Sequence, residues 1–534
     1  MRVTALGHAG LRIEVDGAVL LCDPWFNPEG AFQASWFQYP ENRSLLTREL
    51  LQTTAVLISH EHMDHVDPWF LARLPPEVPV IIPRYPSPQL VRKVQSGGPR
   101  TVIELPAWEE LEVIDDVRVF FVPEESPINH DSAMVIRAGG RSVLNMNDAR
   151  LSPRQLRRIR AAVTKPVDVF ALQAAGASWY PICYEYPTEK AREISLQKRI
   201  TKLSYVARAI RLVEPVIAMP FAGPPCFLDE DLFLHNVHLG EEGIFPDQDQ
   251  AIRWLADRGI GETVRLLPGD VWDADTRTKE PTLEWENFSF DGGSYLTDYA
   301  ARRVSQVAAV RARYPAPTES LWPLFREYFG HVLSMSPYFN EKIGIRVGFD
   351  IPDLGGWAVD FRPGREGVFR DMGECQYVYR FESRWLWPIL EGKVPWEDFL
   401  LSLRFRAWRH PDLYNDHLLG LLKFAWPEAL EAVEVYETSP ATEETIVVES
   451  DGKLYRIQRY CPHAGQDLLE TGEVLPGGVI RCLGHHYEFD LATGLCLTGR
   501  GGQLRSESID DRCTDVSICV MPTLVGPINP SDRD

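Results

Sequence analysis

The sequence predicts a multidomain protein: a layered α/β domain over residues 1–292, an α+β middle domain over 293–436 and a small all-β domain over 437–534. Three observations carry this. The chain has 534 residues, too many for one ordinary core and enough for two to four domains that each bury a core without staples. Its apolar pattern opens as short strand-like runs, then alternates strands with helices, and closes as short strands between glycine-containing turns. Gly292-Gly293 and the polar residues around them punctuate the first change.

The elements follow in order. Residues 11–15, 18–22, 55–59, 79–82, 117–122, 133–137 and 142–146 are short β-rich runs. Residues 153–163 and 188–213 have helical composition and bracket an apolar strand at 167–172, with another at 215–219. A connecting helix at 299–313 leads into an aromatic-rich segment, where 344–349 and 357–361 read as strands and 395–403 and 416–424 as helices. From Glu434 onward, short strands and turns fit a small β domain.

Composition narrows the class. With 45% hydrophobic and 25% charged residues, and no apolar run long enough to span a bilayer, the chain reads as globular with no membrane part. The segment Met1 to His8 has no signal-peptide pattern, and nine cysteines, an odd number, do not suggest a disulfide framework. The expected compartment is the cytoplasm. A net charge of −21 argues against nucleic acid or an anionic membrane as partner, because both need a basic face.

Near the C-terminus, Cys461-Pro462-His463 and Cys482-Leu483-Gly484-His485 form a two-cysteine, two-histidine framework. Four such ligands can hold structural Zn²⁺, although zinc fingers usually pair Cys with Cys and His with His. The mixed pairs, the hairpin strand at 452–455 and the segment Phe489-Asp490-Leu491-Ala492-Thr493-Gly494 resemble the Rieske ferredoxins and oxygenases. That resemblance implies a [2Fe-2S] cluster with Cys461 and Cys482 on one iron and His463 and His485 on the other. His486 stands where the family usually has Gly.

A second constellation, Ser59-His60-Glu61-His62-Met63-Asp64-His65, directly follows an apolar run, so its ligand-type side chains emerge together at a strand end. An extended His-x-His pair puts both imidazoles on one side, and the following turn can swing Asp64 and His65 toward a neighbouring position. The motif resembles the metallo-β-lactamase superfamily, and Gly7-His8-Ala9-Gly10 with Leu21-Cys22-Asp23-Pro24-Trp25 extends the match. It implies an αββα sandwich. It also implies that His60, His62 and His130 hold one metal, that Asp64 and His65 serve a second, and that Asp148 bridges. His235 is the first candidate for the last ligand, with His238, Asp229 and Asp231 as competitors. His8 and Asp23 line the site, either orienting ligands or water or serving as structural groups.

Zinc in such a site makes hydroxide for hydrolysis and needs no electrons. Mixed imidazole and carboxylate ligands also suit one or two non-haem irons with open positions for O₂. Beside a Rieske cluster, the expectation is an iron-dependent monooxygenase that hydroxylates a small polar metabolite: an amide, an amine or a nucleotide-sugar derivative. The combination resembles the cytidine monophosphate N-acetylneuraminate hydroxylase family, with the order of the two modules exchanged. Asp23-Pro24-Trp25, Leu144 to Asp148, Ala174 to Ser178 and Pro220 to Gly223 carry that resemblance. The middle domain resembles sterol-carrier-like accessory domains.

Two other readings stand beside it. One is a binuclear hydrolase whose Rieske module senses redox state, and the other is an electron-transfer protein on a degenerate hydrolase domain. With no Gly-x-Gly-x-x-Gly placed between strand and helix, electrons are expected from an external reductase through a ferredoxin or cytochrome. A homo-oligomer is one way to bring cluster and iron together. Finally, Arg404 to His410, with Arg406, Trp408 and Arg409, reads either as a phosphate or carboxylate site or as an interdomain surface. Trp179 and Tyr180 read as a pocket wall or as core.

Overall fold

The computed structural model describes residues 1–509 except 164–165, 177, 240–242, 291–292, 439–443, 464, 483–486 and 500–501. The short apolar runs become strands and sort into two facing sheets. The first has eight strands, in the order Thr278–Glu280, Val271–Asp273, Arg2–Gly7, Gly10–Val15, Ala18–Cys22, Ala55–Leu57, Val80–Pro83 and Val102–Leu105. Its first half is antiparallel, but from Ala18–Cys22 onward neighbours run parallel. The second has six, in the order Ile217–Phe221, Val169–Gln173, Arg141–Asn145, Ser132–Ala138, Val117–Pro123 and Leu111–Ile114.

Val3, Leu11, Leu20 and Leu57 of the first sheet share a core with Phe121, Met134, Val143 and Met219 of the second. The outer faces carry helices. Val56, Val80 and Ile82 pack on Phe70 and Leu90 from Pro68–Leu71 and Gln89–Ser96. On the other side, Phe120, Leu144 and Phe170 pack on Leu156 and Ile159 of Pro153–Ala162 and on Val206 and Ile210 of helix α1 (Thr188–Val213). The αββα sandwich expected from the sequence is therefore present. Strands buried on both faces read as unbroken apolar runs, which is why 55–59 and 79–82 were visible without alternation.

A five-stranded sheet follows, in the order Gly367–Phe369, Gly355–Asp360, Arg346–Ile351, Tyr377–Arg380 and Arg406–Arg409. Its core is not separate. Phe349, Trp357, Tyr379 and Trp396 join Trp25, Phe32, Phe37, Tyr39 and Phe227 in one cluster, and at about 1.5–3 kcal/mol per fully buried large apolar side chain this cluster fixes the two segments to each other. The run Arg404 to His410 lies on the seam. Arg404 Nη2 meets Asp229 Oδ2 at 2.6 Å with both side chains almost fully buried, Arg406 donates to the Ile182 carbonyl, and Trp408 is 43% exposed. Helix α2 (Asp416–Phe424) leaves this region with Asn415 capping its N-terminus.

The helices Trp322–Met335, Pro337–Ile343 and Ser383–Leu390 were not legible in the aromatic-rich segment, and the last contains Pro388. The C-terminal part has two three-stranded sheets around Ile457, Cys461, Ile480, Cys482 and Phe489. Its hairpin Thr445–Ser450 to Lys453–Gln458 turns at Asp451-Gly452, both at positive φ, the pattern favoured by a two-residue loop. Helix Pro427–Thr438 runs through residues 436 and 437. Among the described residues no helix is long and apolar enough to cross a membrane.

Candidate metal centre

Strands Ala18–Cys22 and Ala55–Leu57 lie parallel with Cys22 opposite Leu57, so Asp23 and Ser59 emerge side by side at their carboxyl ends. Asp23 is fully buried. Its Oδ1 accepts the Ser59 amide at 2.8 Å, and its Oδ2 accepts Ser59 Oγ at 2.6 Å and His65 Nδ1 at 2.9 Å. Ser59 Oγ, having given its proton to Asp23, accepts from His60 Nδ1 at 2.8 Å. With both Nδ1 atoms protonated, His60 and His65 each present a bare Nε2 lone pair. Asp23 thus sets the tautomers of two imidazoles at once.

His62 is set from the other side. Its Nε2 lies 3.0 Å from Glu397 Oε1, and the same oxygen takes Lys423 Nζ at 2.9 Å. With His62 Nε2 turned to Glu397 in this ion pair, its Nδ1 faces His60 Nε2 at 2.8 Å, two lone pairs that repel unless a proton or cation lies between them. His8 Nε2 holds Asp64 Oδ2 at 2.8 Å. The second oxygen of Asp64, His65 Nε2, Asp148 Oδ1 and Asp131 Oδ1 are buried without a hydrogen-bond partner among the described residues.

Among the described residues, three overlapping groups place ligand atoms within 4.8 Å of one another: His8, Asp64 and His65; His60, His65 and Asp148; and His60, His62 and Asp131. They share His60 and His65 and form one nest. Its electrostatics favour a cation. Burial works against charging His65, but Asp64, Asp148 and Asp23 outweigh it and hold the imidazole up to about 10. Burial likewise opposes His62, which Glu397 holds up to about 9, whereas burial and the neighbouring His65 and His62 push His60 well down. A divalent metal, taking the place of those protons, fits this donor set of imidazole nitrogens and carboxylates.

The structure brings His60, His62, Asp64, His65, Asp148 and the flanking His8 and Asp23 together. His130 stands aside, its Nδ1 3.0 Å from Glu61 Oε1 and its ring stacked on Tyr85; the neighbouring Asp131 reaches the nest, 3.6 Å from His60 Nε2. His235 is also elsewhere. It sits in the 3-10 helix Phe233–Leu239 against Phe227 and His238, because that segment packs its apolar residues into the seam with the middle segment. Asp229 is taken by Arg404 and Arg311, and Asp231 by Arg311. Asp131, Glu397 and Lys423 were missed by sequence reasoning, and the last two carry no local motif.

In the C-terminal part, Cys461, His463 and Cys482 are buried in one small core. Two tight turns present them: the Gly465 amide closes on the Cys461 carbonyl, and the Cys482 amide donates to Tyr487 O. His463 stacks on Tyr487 with ring centres 4.2 Å apart, and its Nε2 lies 2.7 Å from Asp416 Oδ2 at the start of α2. His485 and His486 lie outside the described residues. A cavity of about 590 Å³ is lined by residues of both regions, His62, Asp131 and Asp148 as well as His463 and Tyr487.

Comparison with known proteins agrees with both constellations. Residues 426–503 match the Rieske [2Fe-2S] domain, and residues 19–189 match the beta-lactamase superfamily domain. A cytidine monophosphate-N-acetylneuraminic acid hydroxylase of Xenopus laevis is 21% identical over 463 residues, covering 78% of this chain and 70% of its own. The diiron β-hydroxylase CmlA of Streptomyces venezuelae aligns at 19% identity with a TM-score of 0.34, over 53% of this chain and 54% of that one. A protein of Mycolicibacterium smegmatis named as a Rieske 2Fe-2S iron-sulfur protein is 32% identical over 533 residues, covering 95% of this chain and all of the relative. With that full-length likeness, a Rieske [2Fe-2S] domain and a β-lactamase-like domain, the chain belongs to the Rieske 2Fe-2S iron-sulfur protein family.

Proposed function

We propose that the protein is a Rieske-coupled hydroxylase in which the three units, 1–292, 293–436 and 437–534, enclose one reaction chamber. The observation that carries this reading is the shared cavity, which touches candidate metal ligands His62, Asp131 and Asp148 as well as the cluster-side residues His463 and Tyr487. A hydrolase has no use for a redox centre opening onto its substrate space. The hydroxylase named among the relatives supports the same reaction class. Non-haem iron held by the nest would supply O₂ activation, and the [2Fe-2S] cluster would supply electrons one at a time.

The chain's own residues have distinct tasks. Asp23 and Ser59 keep the Nε2 lone pairs of His60 and His65 turned into the nest. Glu397, itself neutralised by Lys423, fixes the ring of His62. Asp416 holds His463 from the side of the chamber, and α2 carries it there as one rigid piece. Trp179, Phe245 and Leu400 give the chamber an apolar wall that limits water. The substrate is a small polar molecule, and electrons arrive from an external reductase through a ferredoxin or cytochrome.

Metal and acid-labile sulfide analysis of anaerobically purified protein, with electron paramagnetic resonance of the reduced form, tests this. Cluster iron plus further iron, and cluster oxidation when the reduced protein meets O₂ and substrate, is the expected result. Cluster iron plus two zinc ions, with no O₂ consumption, would instead establish the redox-sensing hydrolase.

A further inference from the structure

The chamber carries a second cluster that the metal chemistry does not use. Lys198 and Lys202 stand one turn apart on α1, and Arg150 approaches both. All three border the cavity that touches His62 and Asp148. Arg409 and Lys423 border it too but pair with Asp412 and Glu397; on a chain of net charge −21, the other three cations call for a reason, since like charges at i and i+4 destabilise a helix.

Of the neighbouring acids, Asp412 and Glu124 are engaged by other groups, and Asp148 is shared between Lys202 and the metal nest. Asp412 accepts from Arg409, Tyr186 and Lys190. Glu124 accepts from the Arg150 amide and the Asn129 side chain, and Asp148 stands with His60 and His65. Among the described residues the lysines donate to backbone carbonyls, Lys198 to Tyr180 O at 3.3 Å and Lys202 to Ala175 O. Neither bond brings a carboxylate; Lys198 also lies over the Tyr180 ring at 4.9 Å, and Asp148 offsets part of the Lys202 charge. Burial, reinforced by Arg150, lowers both ammonium groups to about 7 even with Asp148 acting on Lys202, as expected where burial outweighs a nearby acid.

We propose that Arg150, Lys198 and Lys202 form an anion subsite that grips a phosphate or carboxylate of the substrate while another part of the same molecule lies against His62 and Asp148. Guanidinium and ammonium donors converging from two elements suit either group. The inference rests on reading the cavity as the substrate chamber, and it narrows the substrate to an anionic metabolite, setting simple amines aside. Trp179 and Phe245, on the same cavity wall, would cover the uncharged body of such a molecule.

Calorimetric titration of the full-length holoprotein with inorganic phosphate, and separately with acetate, needs no turnover and so succeeds or fails independently of the hydroxylase reading. One of the two anions is expected to bind, and which one identifies the group. Lys198→Gln with Lys202→Gln should weaken that binding about ten-fold or more, the loss of a charge-assisted hydrogen bond. Lys202→Arg should retain it, as should His60→Ala. Arg150→Gln is the second variant should the double one fold poorly, as judged by melting and the Rieske signal, and the same loss is expected. Binding by neither anion, unchanged binding in the glutamine variants, or loss of binding in His60→Ala overturns the subsite.

Discussion

Asp416 Oδ2 lies 2.7 Å from His463 Nε2, and Lys423, two turns along the same helix, pairs with Glu397, which in turn holds His62. One nine-residue helix therefore touches the partners of both centres. Seven positions at about 1.5 Å per residue separate its two contact residues by roughly 10 Å, so cluster side and metal side are held at a fixed spacing within a single chain.

Replacing Asp416 by Asn keeps the shape and removes a negative charge beside the cluster. Less electron density reaches His463, so the reduced cluster is favoured and its potential rises. A rise of about 60 mV corresponds to about 1.4 kcal/mol of differential stabilisation for one electron. Redox titration by electron paramagnetic resonance checks this, and an unshifted potential with a normal signal would show that Asp416 is only a docking contact.

The pair Glu397 and Lys423 is nearly buried, with side chains 11% and 12% exposed. Glu397→Gln leaves the ammonium without its carboxylate and is expected to destabilise the protein by about 3–5 kcal/mol. Adding Lys423→Met should recover most of that loss while leaving turnover low, because His62 has still lost its anchor. Denaturant unfolding of the two single variants and the double variant gives the coupling directly.

Asp23→Asn disturbs the tautomers of His60 and His65 without touching either ring. Metal affinity is expected to fall about 10–100-fold, the usual effect of losing an outer partner of a ligand, while the Rieske signal stays intact. Competition with a chelator measures it. Loss of both metals and cluster together would count against separate sites.

The nest was legible where its residues are contiguous. His60 to His65 follow a buried parallel strand, and a strand end delivers neighbouring side chains to one place. Asp131 was not, because the resemblance to the metallo-β-lactamase superfamily pointed to His130. The choice is a one-residue question at the entry to strand Ser132–Ala138, where successive side chains take opposite sides. His235 was misplaced for a different reason: its helix answers to an aromatic seam made with residues far along the chain. Glu397, Lys423 and Asp416 come from that same distant segment, and no local periodicity marks a residue whose role is defined by a tertiary contact.

That difference has a direct test. Asp131→Ala is expected to lower metal retention and turnover by about ten-fold or more, the loss of a charged ligand-side group. His130→Gln should cost stability through Glu61 but keep the metal. Metal analysis after gel filtration of the two variants decides it, and the reverse pattern would restore His130 to the ligand set.

Lys198 and Lys202 also predict a pH dependence of stability. Their folded pKa values of about 7 lie below the ordinary lysine value, so between about pH 7 and pH 9 the unfolded chain binds more protons than the folded one. Stability contributed by these groups therefore rises with pH across that window. Other groups titrate there too: burial holds Glu124 up to about 8, which acts in the opposite sense as it ionises. The readout is accordingly a difference. The melting temperature of the wild type minus that of Lys198→Met with Lys202→Met should become more positive from pH 7 to pH 9. Saturating the subsite with its anion should flatten that slope, because a bound counter-ion lets the folded lysines keep their protons. A difference that does not change with pH would mean that both ammonium groups stay charged in the folded protein and already have a compensating partner.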